Sequence, residues 1–307
     1  MKVLITGASG FLGRNLVLNL PKNWKIIATY LNDNTFPSFI TKNGLDNVVP
    51  IKIDLSSNIS FKSVDDYYKS YDVCVFLAAN GDPAYSEEEP VIDLKSNTIS
   101  LLNTVQHWTF EKFLFFSSGA VYDHLTGNVS PDSFISPTLP YAISKYASER
   151  YMMQAQKHGK IKFAAAIRFF GAYGPYEPNR KIYGKLIKQF GIDKNKNFTI
   201  KGNGKNLIDA MYIEDLVHAV KLLIHNLSDS KILDLYSGNS ISIEDLVIQT
   251  AKLFNINPNI KFEGNVPEFI EFKSSDTTMA DNYGFKPQIP LNEGLIKFYN
   301  WIVENNE

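Results

Sequence analysis

Short apolar runs recur through the first half of the chain, at residues 3–6, 26–30, 48–53, 73–78, 113–116 and 163–167. They are continuous rather than alternating in polarity, which is the pattern of strands buried on both faces of a parallel sheet. Between them lie stretches with helical spacing of apolar positions. Residues 11–20 end at Pro21, residues 91–108 begin after Pro90, and residues 141–158 follow Pro140 and stop at Gly159. Proline suits the first turn of a helix and glycine suits its end. Alternating strands and helices predict right-handed crossovers and a doubly wound α/β sheet of the Rossmann type.

After Arg168 the texture changes. Residues 171–178 are rich in Gly, Pro and Tyr, and residues 191–206 in Lys, Asn and Gly. Residues 214–225 have helical spacing and residues 231–236 read as one more strand, while Pro258, Pro267, Pro287 and Pro290 break up the C-terminal part. The expected organisation is a sheet domain over 1–168, to which 210–238 returns, and a smaller, irregular lobe over 169–307. The acidic run Glu87-Glu88-Glu89 before Pro90 is expected to favour a helix N-terminus.

Composition narrows the class. With 44% hydrophobic and 21% charged residues, the chain can bury an ordinary core. A net charge of −1 leaves no basic field for nucleic acid or an anionic membrane. Cys74 is the only cysteine, so no internal disulfide is possible, and its apolar setting reads as core. Three apolar residues before Thr6-Gly7 are too few for a signal-peptide core, and no stretch approaches the roughly 20 residues of a membrane span. The cytoplasm is the expected location. The five histidines show no metal-like spacing, so no metal is expected.

Two motifs carry chemistry. Gly7, Gly10 and Gly13 are spaced Gly-x-x-Gly-x-x-Gly between the first strand and the first helix. A turn without β-carbons lets a diphosphate approach the backbone, and the amides and dipole of the helix N-terminus stabilise its charge. An acid at the end of the second strand would select NAD through the ribose hydroxyls, but Thr29 or Tyr30 occupies that place and Asp33 comes a little late. Arg14 is within reach of a 2′-phosphate and equally suited to a solvated helix face. NAD and NADP both stay open.

The second motif is Tyr141-Ala142-Ile143-Ser144-Lys145, which puts a phenol and an ammonium four residues apart on one helix face. A nearby cation lowers a phenol's pKa from near 10, making it a proton donor and acceptor suited to alcohol–ketone conversion. Upstream, Ser117-Ser118-Gly119 ends the fifth predicted strand, and the carboxyl end of a parallel strand faces the ligand crevice of such a sheet.

With these motifs, the sequence resembles the extended branch of the short-chain dehydrogenase/reductase superfamily. That branch includes UDP-hexose 4-epimerases, sugar-nucleotide dehydratases and 4-keto-sugar reductases. The resemblance covers nearly the whole chain. It implies that Gly7, Gly10, Phe11, Leu12 and Gly13 bind the dinucleotide, that Asp54-Leu55 contacts the adenine, and that Leu77-Ala78-Ala79 lines the cofactor. It implies a catalytic set of Ser118, Tyr141 and Lys145, the last two also touching the cofactor, with Asn97 supporting their helix. Arg168…Tyr173-Gly174-Pro175 is similar to the family's entry into its substrate lobe, and Gly202-Asn203-Gly204…Asp209…Tyr212-Ile213-Glu214-Asp215 to its later signature.

Three departures shape the expected function. Dehydratases of the family carry Asp-Glu after the serine, where this chain has Gly119-Ala120, which argues against a dehydratase. Family members often have Asn at Gly171 and Arg at Ile208, both contacting a substrate diphosphate. Isoleucine cannot donate to a phosphate. Either Arg180, Lys181 or Lys205 holds the diphosphate, or the substrate lacks one. The resemblance therefore implies an NAD- or NADP-dependent 4-epimerase or 4-keto reductase of a sugar, nucleotide-linked in the first reading. The alternatives are an NADPH-dependent reductase of a non-nucleotide carbonyl compound and a catalytically silent dinucleotide-binding protein. By analogy with its relatives, the chain is expected to form a homodimer through the helix carrying the Tyr/Lys motif and the long one before it.

Overall fold

The computed structural model describes residues 1–61, 64, 69–264 and 271–305. Pro267 lies outside them. Contacts divide the chain into two units. One comprises Met1–Asp123, Phe134–Phe169 and Ala219–Leu235; the other comprises His124–Ser133, Phe170–His218 and Tyr236–Glu307.

The first unit is built on a seven-stranded sheet: β1 (Lys2–Thr6), β2 (Lys25–Tyr30), β3 (Val48–Lys52), β4 (Ser70–Phe76), β5 (Thr109–Ser118), β6 (Ile161–Phe169) and β7 (Lys231–Leu235). Their order is β3-β2-β1-β4-β5-β6-β7 and every pairing is parallel. The doubly wound reading therefore holds. The continuous apolar runs have the expected cause: Val3, Leu4, Ile5, Phe113, Leu114 and Phe115 are all fully buried, so successive residues, which point to opposite faces, are all covered.

Strand order reverses between β1 and β4, which makes their carboxyl ends the switch point where ligands enter such sheets. Here β4 stops at Phe76, two residues before the apolar run ends. The buried Thr6 hydroxyl at the end of β1 accepts hydrogen bonds from the N–H groups of Leu77 and Ala78, 3.0 Å each, and turns them out of the ladder.

The helices α1 (Phe11–Asn19) and α4 (Pro140–Lys157) match their expected extents. The stretch expected as one helix over 91–108 is three pieces: α2 (Pro90–Leu94), a wider π turn (Lys95–Ile99) and α3 (Ser100–His107). Ser100 N–H donates to the Lys95 carbonyl, five residues back, which inserts the extra residue of a π turn. A helix does start directly after the acidic run: Glu87 and Glu88 end the helix Pro83–Glu88, and Glu89 is the N-cap of α2, without a side-chain hydrogen bond.

The second unit is less regular. Its sheets are two-stranded: Thr126–Val129 with Glu271–Ser274, Ala172–Tyr173 with Met211–Tyr212, Asn197–Lys201 with Asn259–Glu263, and Leu207–Ile208 with Ile241–Ser242. The helices Ile182–Leu186, Ile243–Leu253, Thr278–Tyr283 and Leu291–Asn305 complete it. The helix Ile213–Asn226 carries the chain from this unit to the first. Among the described residues no helix is long and apolar enough to cross a membrane, and no group of His, Cys, Asp and Glu could hold a metal ion.

Candidate active site

Each glycine of the first turn has a distinct physical reason. Gly7 has φ +63°, and a β-carbon there would lie 2.9 Å from the Ala78 amide nitrogen. A β-carbon on Gly13 would lie 2.5 Å from Ala8 Cα, so only glycine lets α1 start this close to β1. Gly10 caps α1 with no side chain accepting from the first-turn amides. Those donors point at a loop with no bulk of its own, which suits an anion.

A cleft of about 680 Å³ opens over this turn. Its wall includes Gly7, Gly10, Asp54, Leu55, Leu77, Ala78 and Ala79, all singled out from sequence. Phe11 and Leu12 form the first turn of α1 and are half-buried, while Gly13 is buried behind them. One Asp54 oxygen accepts from the Ser56 amide (2.9 Å) and hydroxyl (2.7 Å).

The end of β2 adds what the sequence left open. Asp33 lines the cleft, and its carboxylate receives Arg14 Nη2 at 2.6 Å. Thr35 donates to its other oxygen through both amide and hydroxyl. Partial burial works against the charge, but these hydrogen bonds and the guanidinium hold the Asp33 carboxyl below the usual carboxylate range. Arg14 lies over the Phe39 ring, 4.3 Å from its centre. It is a tethered cation and not a solvated one.

Ser118, Tyr141 and Lys145 gather at the carboxyl end of β5 and the first turns of α4. Pro140 occupies the first turn of that helix, and the Tyr141 amide donates to Ser86 Oγ at 3.2 Å. Ser118 is the last residue of β5, and its hydroxyl accepts from the Ala120 amide at 3.1 Å, capping the short turn Gly119–Tyr122. Lys145 Nζ donates to the Phe116 carbonyl (2.9 Å), two residues before Ser118, and stands 5.9 Å from the centre of the Tyr141 ring. Burial pushes the Lys145 ammonium down to about 8, and the negative charges of Asp93 and Glu149 partly offset that.

Asn97, expected to support this helix, lies in the π turn and donates to Ser144 Oγ and to Asp93 Oδ1, 2.9 Å each. Asp93 and Glu149 escaped sequence reading. Glu149, fully buried, receives Arg168 in bidentate fashion at 3.1 and 3.0 Å and also the Ser117 hydroxyl. Their signal was spacing: Asp93 precedes Asn97 by four residues and Glu149 follows Lys145 by four, one helix face in each case.

In the second unit, Gly171 has φ +143°, and a β-carbon there would lie 3.2 Å from Ala210 Cβ, so an asparagine would be strained. Ile208 is half-buried in its two-residue strand. Asp209 accepts from the Ser237 and Gly238 amides and the Ser240 hydroxyl, and Asp215 from the Gln288 and Ile289 amides, so both clamp backbone. Arg180, Lys181 and Lys205 are exposed.

Comparison with known proteins agrees with this architecture. The model of the NAD dependent epimerase/dehydratase family matches residues 3–236. A Methanocaldococcus jannaschii protein provisionally named a UDP-glucose 4-epimerase is 29% identical, over 99% of each chain. The solved UDP-glucose 4-epimerase of Thermotoga maritima, with UDP-glucose, superposes at a TM-score of 0.87 with 20% identity over 100% of both chains. The UDP-glucuronic acid 4-epimerase of Bacillus cereus, in complex with UDP-glucuronic acid and NAD, gives 0.85 with 23% identity over 99% of each.

Proposed function

Since the chain belongs to the NAD dependent epimerase/dehydratase family, and is therefore an enzyme of the extended short-chain dehydrogenase/reductase type, we propose that it is an NAD-dependent 4-epimerase of a nucleotide-linked sugar. Ser118, Tyr141 and Lys145 are its catalytic set in this reading. The observation that carries it is the Lys145 ammonium, held by the Phe116 carbonyl two residues before Ser118 and 5.9 Å from the centre of the Tyr141 ring.

The cleft residues fit a dinucleotide: an uncapped helix start, a turn in which a β-carbon at Gly7 would crowd Ala78, and an anionic Asp33 on the wall. Gly7, Gly10, Phe11 and Leu12 would hold its diphosphate, with Gly13 keeping the helix close, while Asp33 would hold the ribose and Asp54-Leu55 the adenine. Leu77, Ala78 and Ala79 would line it, and Tyr141 and Lys145 would meet its nicotinamide end. When bound, it supplies a hydride acceptor and donor at the nicotinamide.

Tyr141 would take the proton from the sugar's 4-hydroxyl and, once the ketone had presented its other face, would return it to the same oxygen. Ser118 hydrogen-bonds that oxygen, and Lys145, as a cation, lowers the Tyr141 pKa. The turn Gly119–Tyr122 offers no acid for eliminating water. Purified protein should therefore retain NAD, and UDP-glucose or UDP-glucuronic acid should raise its melting temperature. Gly171 and Ile208 favour a second reading, reduction of a carbonyl compound without a nucleotide. Freely exchanging NADPH and no response to any nucleoside diphosphate would establish that one instead. Exposed Val91 and Leu94 on α2 and Ile143 and Tyr151 on α4 offer a face to a second copy, so light scattering is expected to give twice the chain mass.

Cofactor choice follows from the Arg14–Asp33 pair. A 2′-phosphate would approach an anionic carboxylate whose arginine is already committed. Cofactor-stripped protein is expected to bind NAD at least about tenfold more tightly than NADP, a difference of about 1.4 kcal/mol. Asp33→Ser, which frees Arg14, should narrow or invert that ratio. Tighter NADP binding by the unaltered protein would sink the assignment.

A further inference from the structure

Asp93 is a buried carboxylate, 1% exposed, with no part in the mechanism above. Its Oδ1 accepts from the side-chain amides of Asn80 and Asn97, 2.9 Å each, while Oδ2 is buried without a hydrogen-bond partner. Unpaired buried carboxylate oxygens are costly, and such groups persist where their charge acts on something. The same Asn97 amide donates to Ser144 Oγ (2.9 Å), its carbonyl oxygen accepts from the Asn80 amide (2.8 Å), and Ser144 Oγ donates to the Tyr141 carbonyl (3.0 Å). Thr98 Oγ1 binds the Ser144 carbonyl at 2.9 Å. The cluster thus grips the one helical turn that carries Tyr141 and Lys145, and Asn80 ties it to the wall of the dinucleotide cleft.

Burial lowers the Lys145 pKa, and the charges of Asp93 on α2 and Glu149 on its own helix work in the opposite direction. Tyr141 stands on that helix as well. From β5 come the Phe116 carbonyl and the Phe115 ring, and from β6 comes Arg168, which reaches only Glu149 and Tyr122. Glu149 shares its charge with that bidentate arginine. Asp93 has only neutral amides for partners, and its charge is uncommitted.

We propose that Asp93 is a positioning residue of the reaction: its charge keeps Lys145 an ammonium in a buried site, and through Asn97 and Ser144 it fixes the turn that presents Tyr141 and Lys145. This rests on the catalytic assignment of Tyr141 and Lys145. The role is specific to charge as well as shape, because a neutral residue of the same size would keep both amide hydrogen bonds.

Asp93→Asn is that residue. Its amide oxygen accepts where Oδ1 does, and its NH2 replaces the bare oxygen. The test follows the Lys145 resonance with pH in full-length, lysine-labelled protein, assigned by its loss in Lys145→Arg. Asp93→Asn should lower the midpoint by about one pH unit or more, a tenfold change in protonation ratio. It should also cut kcat at pH 7 by about tenfold with KM for the sugar within about twofold of the original. Asp93→Glu, which restores the charge, should recover part of both. Asp93→Ser replaces the amide variant if that does not fold. A folded, charge-removed protein with an unmoved midpoint overturns the proposal whatever its activity. A lowered midpoint with full activity leaves the counter-ion in place and overturns the catalytic assignment of Lys145 instead.

Discussion

Tyr141→Phe is expected to lower kcat by about 100-fold or more while leaving the fold intact. The substitution removes one oxygen from a half-buried ring at the start of α4. Pro140 still opens the helix, the residue 141 amide still donates to Ser86 Oγ, and Lys145 stays on the Phe116 carbonyl. Nucleotide and dinucleotide binding should change little, because only the proton transfer loses its agent. The check is steady-state kinetics of the purified variant beside its melting curve. Full activity in a folded Tyr141→Phe protein would end the Ser118–Tyr141–Lys145 reading. An equal rise in KM with kcat unchanged would make the phenol a binding group only. The effect also depends on pH in a stated direction. Burial puts Lys145 near 8, so the cation that assists Tyr141 is present below that value and is lost as pH rises through it.

The sheet was readable from the sequence because its strands are covered on both sides. Val3, Leu4 and Ile5 in β1 and Phe113, Leu114 and Phe115 in β5 all sit in full burial, and short continuous apolar runs repeated between helical stretches fit little besides a covered parallel sheet. The glycine turn was readable for a similar reason. Gly7 and Gly13 occupy places where a β-carbon collides, so sequence and geometry state the same constraint. The end of β4 was not readable, since Leu77 and Ala78 are as apolar as the strand before them. What turns them away is Thr6, 71 residues earlier for Leu77. The π turn was hidden because its apolar spacing passes for ordinary helix.

Charges were the least readable part of the site. Asp33 and Arg14 lie 19 residues apart and read separately, one as a slightly late ribose acid and the other as a 2′-phosphate ligand or a solvated residue, whereas the fold closes them at 2.6 Å. Asp93 and Glu149 are single acidic residues on helices, where the ordinary reading is a solvated face. Local spacing placed each beside a partner on its own helix, but burial is decided by other strands and helices, and no local pattern encodes it. The second unit failed for a related reason. Its ladders join segments such as 126–129 and 271–274, are two to five residues long, and leave no periodicity to detect.

The buried pair Glu149–Arg168 should be where stability is most sensitive. Glu149 is fully buried and Arg168 is 2% exposed. The guanidinium spends Nε and Nη2 on Glu149 and Nη1 on the Tyr122 hydroxyl (3.0 Å), which in turn donates to Asp234 at 2.7 Å. Burial alone would push the arginine towards neutrality, but the Glu149 hydrogen bonds and charge outweigh it and raise its pKa above the ordinary value. Four elements meet in this chain of contacts: β5 through Ser117, α4 through Glu149, β6 through Arg168 and β7 through Asp234. Glu149→Ala leaves a guanidinium in the core with no anion beside it and takes the acceptor from Ser117. The expected loss is about 3–5 kcal/mol, read as a lower urea midpoint at unchanged slope. The paired variant Glu149→Leu with Arg168→Met should be much less damaging than Glu149→Ala, because it removes the stranded charge along with its partner. If Glu149→Ala unfolds within about 0.5 kcal/mol of the original protein, the range of an ordinary surface change, then the pair is not holding these four elements. A double variant no better than Glu149→Ala would locate the loss in missing packing, not in the abandoned charge.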